Sequence, residues 1–420
     1  MGQGAKAQGA TVVDVAIIGG GLNGLAAALA LAGPAVRTPL SVVLIDAGDP
    51  GGRADAAFDG RASAVTLASR RMFEALEIWP RLEPHAQAMR EIIVTDAPLG
   101  AQSRPALLHF GEATADNQPA AWMIENRHLL SVLHEAVSVA PEVTLRPRTK
   151  VDGYDFGGAA AELQLDNGDR VRARLVVAAD GRESPARKAA GIETVGWAYG
   201  QSGIVTTVEH EGDHGGRAEE HFLPAGPFAI LPLPGRRSSL VWTEETEEAK
   251  RIVALDEPEF AAELQRRFGD HLGRVTPIGP RHAYPLSLHI AKAFVAPRLA
   301  LIGDAAHVVH PIAGLGLNLG FRDIAALAET TADAVRLGLD HGGLAALERY
   351  QAWRRLDTVL VAAMTDGLNR LFSSDNMGLR LVRDLGLGIV DRVEPLKGFF
   401  VQEAAGLHRQ LPKLLTGEPV

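Results

Sequence analysis

Residues 299–323, LALIGDAAHVVHPIAGLGLNLGFRD, constrain the fold of this chain more than any other stretch. An apolar run of strand length, 299–302, stops at Gly303-Asp304, a pair with strong turn character. Pro311, Gly314, Gly316 and Gly320 follow, and a helical pattern extends from about 317 towards 337. A carboxylate at the C-terminal end of a buried strand lies where open α/β sheets bind ligands. Glycines at a helix start let backbone N–H groups approach a negative group, which the helix dipole favours.

The amino-terminal part carries a matching signal. Residues 11–18 (TVVDVAII) are β-branched and apolar, and they run into Gly19-Gly20-Gly21-Leu22-Asn23-Gly24 before an Ala/Leu-rich helix. This is strand, GxGxxG, helix: the glycines permit a tight turn, close approach of a pyrophosphate and packing of helix on strand. Another strand, 41–45, ends in Asp46, about 20 residues on, where a ribose hydroxyl is held. The motif serves both FAD and NAD, so on its own it leaves the nucleotide open.

Three further segments complete the pattern. Asp59-Gly60-Arg61 precedes a helix starting near 68, and Glu125-Asn126-Arg127 opens another. The turn 166–169 (Asp-Asn-Gly-Asp) marks a hairpin. Its second strand delivers Asp180-Gly181-Arg182-Glu183-Ser184-Pro185-Ala186-Arg187. From 188 to 287 short strands dominate (203–209, 219–223, 228–233, 239–243), with one helix over 257–268. Phe222, Phe228, Leu231 and Trp242 are candidates for lining an apolar pocket there. His210, His214 and Glu219 to His221 lack rigid ligand spacing and read as a solvated hairpin turn, not a metal site. From 344 to about 393 the pattern is helical, with an amphipathic stretch over 379–393.

Taken together, Gly303-Asp304-Ala305-Ala306-His307, Pro311, Gly314, Gly316 and Asn318 resemble the second FAD motif of the aromatic-ring flavoprotein monooxygenases. Asp180, Gly181, Ser184 and Arg187 match the DGxxSxxR signature of the same family. Within it the chain most resembles the ubiquinone-biosynthesis hydroxylases, departing at Leu315, where that branch has Gln. The resemblance covers nearly the whole chain. It implies an α/β fold of p-hydroxybenzoate-hydroxylase type: a Rossmann-like FAD-binding domain in three pieces (11–75, 105–187, 288–345), a β-sheet substrate domain (76–104, 188–287) and a helical C-terminal region (346–420).

It also implies non-covalent FAD, with NAD(P)H as transient electron donor. The cofactor-binding set is Gly19, Gly21, Leu22, Asn23, Gly24, Asp46, Arg61, Arg127, Asp180, Gly181, Arg187, Gly303, Asp304, Gly314, Gly316, Leu317 and Asn318. The Pro311 carbonyl is a positioning group. The implied reaction is hydroxylation of a polyprenyl phenol through a flavin C4a-hydroperoxide, using O2. The alternatives are a small soluble phenol as substrate, or a flavin-fold scaffold of a biosynthetic complex without turnover.

Composition sets outer limits. The 420 residues suffice for two domains, and the net charge of −9 argues against a nucleic-acid partner. With no cysteine, thiolate catalysis and Cys-ligated metals are excluded. Residues 1–10, small and polar, read as a disordered leader, and no apolar run is long enough to span a bilayer. The expected location is cytoplasmic, with the 379–393 face offering a docking surface at the inner face of a membrane or on a biosynthetic complex. Oligomeric state is not encoded in any of these features.

Overall fold

The computed structural model describes residues 10–54, 58–96, 106–111, 118–372, 405–407 and 410–420. The amphipathic stretch 379–393 and residues 1–9 of the leader lie outside them.

The first layer is a parallel sheet. Thr11–Ile18 lies in its middle, between Val42–Ile45 and Arg170–Ala178. Val143–Arg146 extends one side and Leu299–Leu301 the other, also parallel. Val42–Ile45, Leu299–Leu301 and the C-terminal halves of Thr11–Ile18 and Arg170–Ala178 are buried and read as continuous apolar runs; Val15, Ala16 and Ile17 are fully enclosed. The hairpin of Ala161–Leu165 with Arg170–Ala178 turns at 166–169, as its Asn-Gly pair predicts. Helix Leu22–Ala32 and the 22-residue helix Leu315–Arg336 pack against this sheet in one apolar core.

The second sheet has eight strands, among them Thr194–His210, Arg237–Glu245, Gly226–Leu233, Arg217–Leu223 and Glu91–Asp96 in that spatial order. All its pairings are antiparallel except Arg217–Leu223 on Glu91–Asp96. Two strands differ from the sequence reading. Thr194–His210 runs for 17 residues where a short strand over 203–209 is predicted, because bulges near Ser202 and Thr207 carry the pairing onward. Its partner Val275–Ala291 contains Pro277, Pro280 and Pro285, which hide a strand from propensity reasoning. A third, three-stranded sheet (Ala62–Thr66, Ala121–Glu125, Gln87–Met89) links the two larger ones.

Helices Thr246–Val253 and Glu257–Phe268 cover the outer face of the second sheet. The 29-residue helix Leu344–Phe372 packs against Leu315–Arg336. Among the described residues no helix is long and apolar enough to cross a membrane.

Candidate active site between the parallel sheet and the second sheet

A cavity of about 800 Å³ separates the C-terminal edge of the parallel sheet from the inner face of the second. One wall carries Gly21, Leu22, Asn23, Arg61, Ala179, Gly181, Asp304, Pro311, Gly314, Leu315, Gly316 and Leu317. The opposite wall carries Ile92, Val94, Leu108, Phe222, Ala229 and Leu231, closed at one end by Met364 and Leu368 of the long C-terminal helix. Three motifs far apart in sequence therefore share one crevice.

The first wall is held together by buried amides and charges. Asn23 packs against Gly303 and Gly320, and a Cβ at either would overlap its side-chain amide. Asn318 is fully engaged. Its Nδ2 donates to the carbonyls of Ala64 (2.8 Å) and Gly314 (3.1 Å), and its Oδ1 accepts from the Thr66 N–H (3.0 Å) and the Ser69 hydroxyl (2.8 Å). Its side chain is thus a clamp, and what Asn318 offers the cavity is its backbone. Helix Leu315–Arg336 begins after Gly314, whose φ of 62° is left-handed. Its first N–H groups have no intrahelical acceptor, so the helix end is an anion-favouring terminus. Leu315 joins Leu288, Val309, Leu319 and Val361 in a small apolar cluster, which accommodates the departure from Gln.

Behind this wall Asp323 is completely buried. Its Oδ2 accepts from the Gly303 N–H (3.0 Å) and contacts His307 Nε2 (2.6 Å), and its Oδ1 accepts from Arg354 Nε (2.8 Å). Burial pushes its pKa up, but His307 and Arg354 outweigh that and hold it below the ordinary carboxylate range.

The acidic residues read from the sequence divide into occupied and free groups. Asp46 is occupied: its carboxylate accepts from the Gly20 N–H, the Gly48 N–H and Arg53. These donors overcome the effect of burial and depress its pKa. Asp180 accepts from the Ala186 N–H (3.1 Å), while its Oδ1 is buried without a partner. Asp304 faces the cavity, and burial raises its pKa despite His307 and Arg182. Asn23 Oδ1 is likewise buried and unpartnered. The orphaned acceptors Asn23 Oδ1 and Asp180 Oδ1 suit the hydroxyl donors of a ribityl chain, and the free N–H groups of the helix N-terminus suit a pyrophosphate or an electron-rich flavin edge. The residues present fit FAD.

Several candidates sit elsewhere than the sequence reading puts them. Arg187 is buried and donates to the carbonyls of Ala305 (2.8 Å) and Arg182 (2.8 Å), so it ties the 180–187 loop to the 303–305 turn instead of facing open phosphate space. Arg127 pairs with Glu125 (2.6 Å) and lies over the Phe58 ring, outside the cavity lining. Arg61 lines the cavity but is paired with Asp59 (2.6 Å).

Phe222 and Leu231 line the cavity, whereas Phe228 and Trp242 do not. They stand opposite each other in the register and stack edge-on at 5.9 Å under helices Thr246–Val253 and Glu257–Phe268. Alternate residues of a strand point to opposite faces, so an aromatic one position off the cavity set belongs to the outer core.

His210 ends strand Thr194–His210 and His214 follows it in the connection to Arg217–Leu223, but both imidazoles are buried and hydrogen-bonded to Ser238 and Leu233 rather than solvated. Among the described residues no group of three or more His, Cys, Asp or Glu could hold a metal. Among the residues missed by the sequence reading are Arg53, Ile92, Val94, Leu108, Met364 and Leu368, and Glu220 was noted only within a polar run; none lies in a recognisable motif.

A parallel sheet with a glycine turn, a second acidic turn and a helix end on one crevice, roofed by a largely antiparallel sheet, defines the flavin-dependent aromatic monooxygenases. The family model described as an FAD binding domain matches residues 12–362, and the chain belongs to this family; it is an FAD-dependent monooxygenase. It is 47% identical over 414 residues to the ubiquinone hydroxylase UbiL of Rhodospirillum rubrum, covering 97% of this chain and 94% of that protein. It is 34% identical over 395 residues to the 3-demethoxyubiquinol 3-hydroxylase of Escherichia coli (94% and 98%). Among solved structures, p-nitrophenol 4-monooxygenase PnpA of Pseudomonas putida superposes with a TM-score of 0.77 at 19% identity, covering 96% of this chain and all of that one. At that identity the likeness concerns the fold alone.

Asp304 gives a direct test of the cofactor wall. Asp304→Ala is expected to weaken FAD binding by roughly 10- to 100-fold, the worth of one charged hydrogen bond. The apoprotein should melt close to the wild-type temperature, since the Asp304 carboxylate is exposed to the open cavity. Titration calorimetry with FAD and apoprotein melting measure the two effects separately.

Proposed function

We propose that the protein hydroxylates the aromatic ring of a polyprenyl phenol in ubiquinone biosynthesis. The observation that carries this reading is the apolar far wall of the cavity, Ile92, Val94, Leu108, Phe222, Leu231, Met364 and Leu368, facing the cofactor-side motifs. A ring with a greasy tail removes such a surface from water, and a small polar phenol would leave much of it wet. The names of the relatives point to the same pathway.

In this reading the glycine turn from Gly19 to Gly24 holds the pyrophosphate and Asp46 a ribose hydroxyl. Asp180, Gly181 and Asp304 hold the chain leading to the flavin. FAD, when bound, takes a hydride from a reduced nicotinamide and activates O2 for insertion of one oxygen atom into the ring. The N–H groups of Gly316, Leu317 and Asn318, with the helix dipole, favour negative charge at the edge of the ring system nearest them. The Pro311 carbonyl orients the reacting face. Leu315, Ile312 and Phe222 keep water from the reacting centre. Segments 11–75, 105–187 and 288–345 act as the cofactor domain, and 76–104 with 188–287 as the substrate domain.

The deciding assay supplies FAD-loaded protein, NADH or NADPH and O2 with either a geranylated phenol or the unprenylated ring. Gain of one oxygen by the prenylated ring, read by mass spectrometry, is the expected result. Preference for the bare phenol favours the small-substrate reading, and oxygenation of neither favours a scaffold. Deleting the gene should leave an under-hydroxylated prenylated precursor. Peripheral association with a membrane or a biosynthetic complex belongs to the same proposal, because a polyprenyl tail resides in a bilayer; liposome co-sedimentation tests it.

A further inference from the structure

Glu220 sits in the largely apolar wall of the cavity, which Glu219 and Thr243 also line. Along its own strand the residues on the same face are Ala218 and Phe222. Across the sheet its partners are Val94 on one side and Ala229 on the other, with Val241 next beyond Ala229. All five line the cavity, as does Glu220. The next residue in the chain makes the contrast. Glu219 is held by His221 Nε2 (3.1 Å) and His271 Nε2 (3.0 Å). No described residue hydrogen-bonds to Glu220 or forms an ion pair with it, and the part of its surface that remains accessible opens on the cavity.

A carboxylate amid apolar side chains costs several kcal/mol unless something pairs with it. The charged groups sharing the cavity lining do not: Arg53 is committed to Asp46, Arg61 to Asp59 and His307 to Asp323. Arg90, Glu219 and Asp304 also line it, and among the described residues burial alone, not a neighbouring charge, shifts Glu220. Among the described residues nothing pairs with this group, and a bound ligand is placed to do so.

We propose that Glu220 accepts the hydroxyl proton of the aromatic substrate and so activates the ring for oxygen insertion. The assignment rests on the hydroxylase reading above. In this step the substrate O–H bond breaks, the electron pair stays on the phenolic oxygen, and the proton passes to a carboxylate oxygen of Glu220. Electron density pushed into the ring makes the ortho and para carbons better nucleophiles. Glu220 returns its proton to solvent when product leaves, so it is not consumed. Burial alone pushes its pKa up to about 7, which suits a base working at neutral pH. The sign is fixed by this: the base is competent above about pH 7 and lost below.

The test uses the FAD-loaded protein with 2-geranylphenol and a fluorinated analogue whose hydroxyl is already ionised at neutral pH. Glu220→Gln is expected to slow single-turnover hydroxylation of 2-geranylphenol by on the order of 100-fold. It should also abolish the acid limb of the pH profile, leaving flavin reduction and FAD affinity unchanged. With the fluorinated ring the wild-type to variant ratio should fall towards one, which a packing defect would not produce. Glu220→Asp should keep the acid limb at a lower rate. Affinity for 2-geranylphenol, read from perturbation of the flavin spectrum, should weaken below about pH 7 in the wild type and be flat in Glu220→Gln. An equal deficit on both rings, or an unaltered pH profile, overturns the assignment. A wild type that reduces its flavin yet oxygenates neither ring overturns the hydroxylase reading and this assignment with it.

Discussion

An Asp323→Asn protein is expected to be roughly 3 kcal/mol less stable than the wild type, the lower end of the cost of breaking a buried ion pair. The carboxylate is fully enclosed and receives Arg354 on one oxygen and Gly303 N–H with His307 on the other. Asparagine keeps the shape, removes the charge and places an amide NH₂ against at least one donor. Arg354, itself buried, retains only its contact with Asp357, which keeps the loss from being larger.

Chemical denaturation of apoprotein should show the loss directly. Its pH dependence gives a second check. Because the folded pKa of Asp323 lies below its ordinary value of 3.8, its stabilising share is fully present above about pH 4 and disappears as the pH falls through the folded value. The variant should lack that part of the acid sensitivity. It should also bind FAD more weakly, because Gly303 positions the Asp304 turn.

Gly24→Ala is the second large effect. A Cβ at this position would overlap the Gly19 carbonyl oxygen, and Ala179 Cβ closes the other side at 3.5 Å. The obstacle is backbone, so no rotamer change relieves it. Gly19 cannot swing away either, because its N–H donates to the Ile45 carbonyl (2.8 Å) and its φ of 106° already lies where only glycine is comfortable. Overpacking of this kind costs about 1–3 kcal/mol. The turn must open to relieve it, which misplaces the N–H groups meant for the pyrophosphate. The purified protein should be nearly colourless, with FAD affinity lowered by on the order of 10- to 100-fold, while far-UV circular dichroism stays close to wild type. A yellow Gly24→Ala protein of normal affinity would show that the turn does not hold the cofactor.

Gly24 could be found in the sequence and Asp323 was not singled out there, and the contrast says where sequence reading succeeds. Gly24 and Asp46 belong to a local pattern, in which strand, turn and helix follow one another and spacing alone fixes geometry. The Asn-Gly hairpin at 166–169 and the helix Glu257–Phe268 were legible for the same reason. Face assignment in the second sheet was not. Phe222 and Phe228 are both aromatic, strand-borne and buried, yet only one meets the cavity. The difference is set by pairing with strands distant in sequence, which no local pattern reports. Glu220 was hidden in the run Glu219-Glu220-His221, which resembles a polar edge until the register divides it between two faces. Arg187 matched a motif letter for letter, but its partners are carbonyls brought in by the 303–305 turn.

The clasp between Asn23 and the Gly303 and Gly320 backbones has a consequence for biosynthesis. Thr66 N–H reaches Asn318 Oδ1 across 252 positions, and Leu299–Leu301 completes the sheet begun by Thr11–Ile18 and Arg170–Ala178. A nascent chain emerging from the ribosome therefore holds half a binding crevice until most of it has been translated. Contacts of such long sequence separation form slowly. Cofactor capture is set late in the life of the polypeptide, and a chain truncated ahead of residue 299 should emerge without affinity for FAD, however well its first βαβ unit folds.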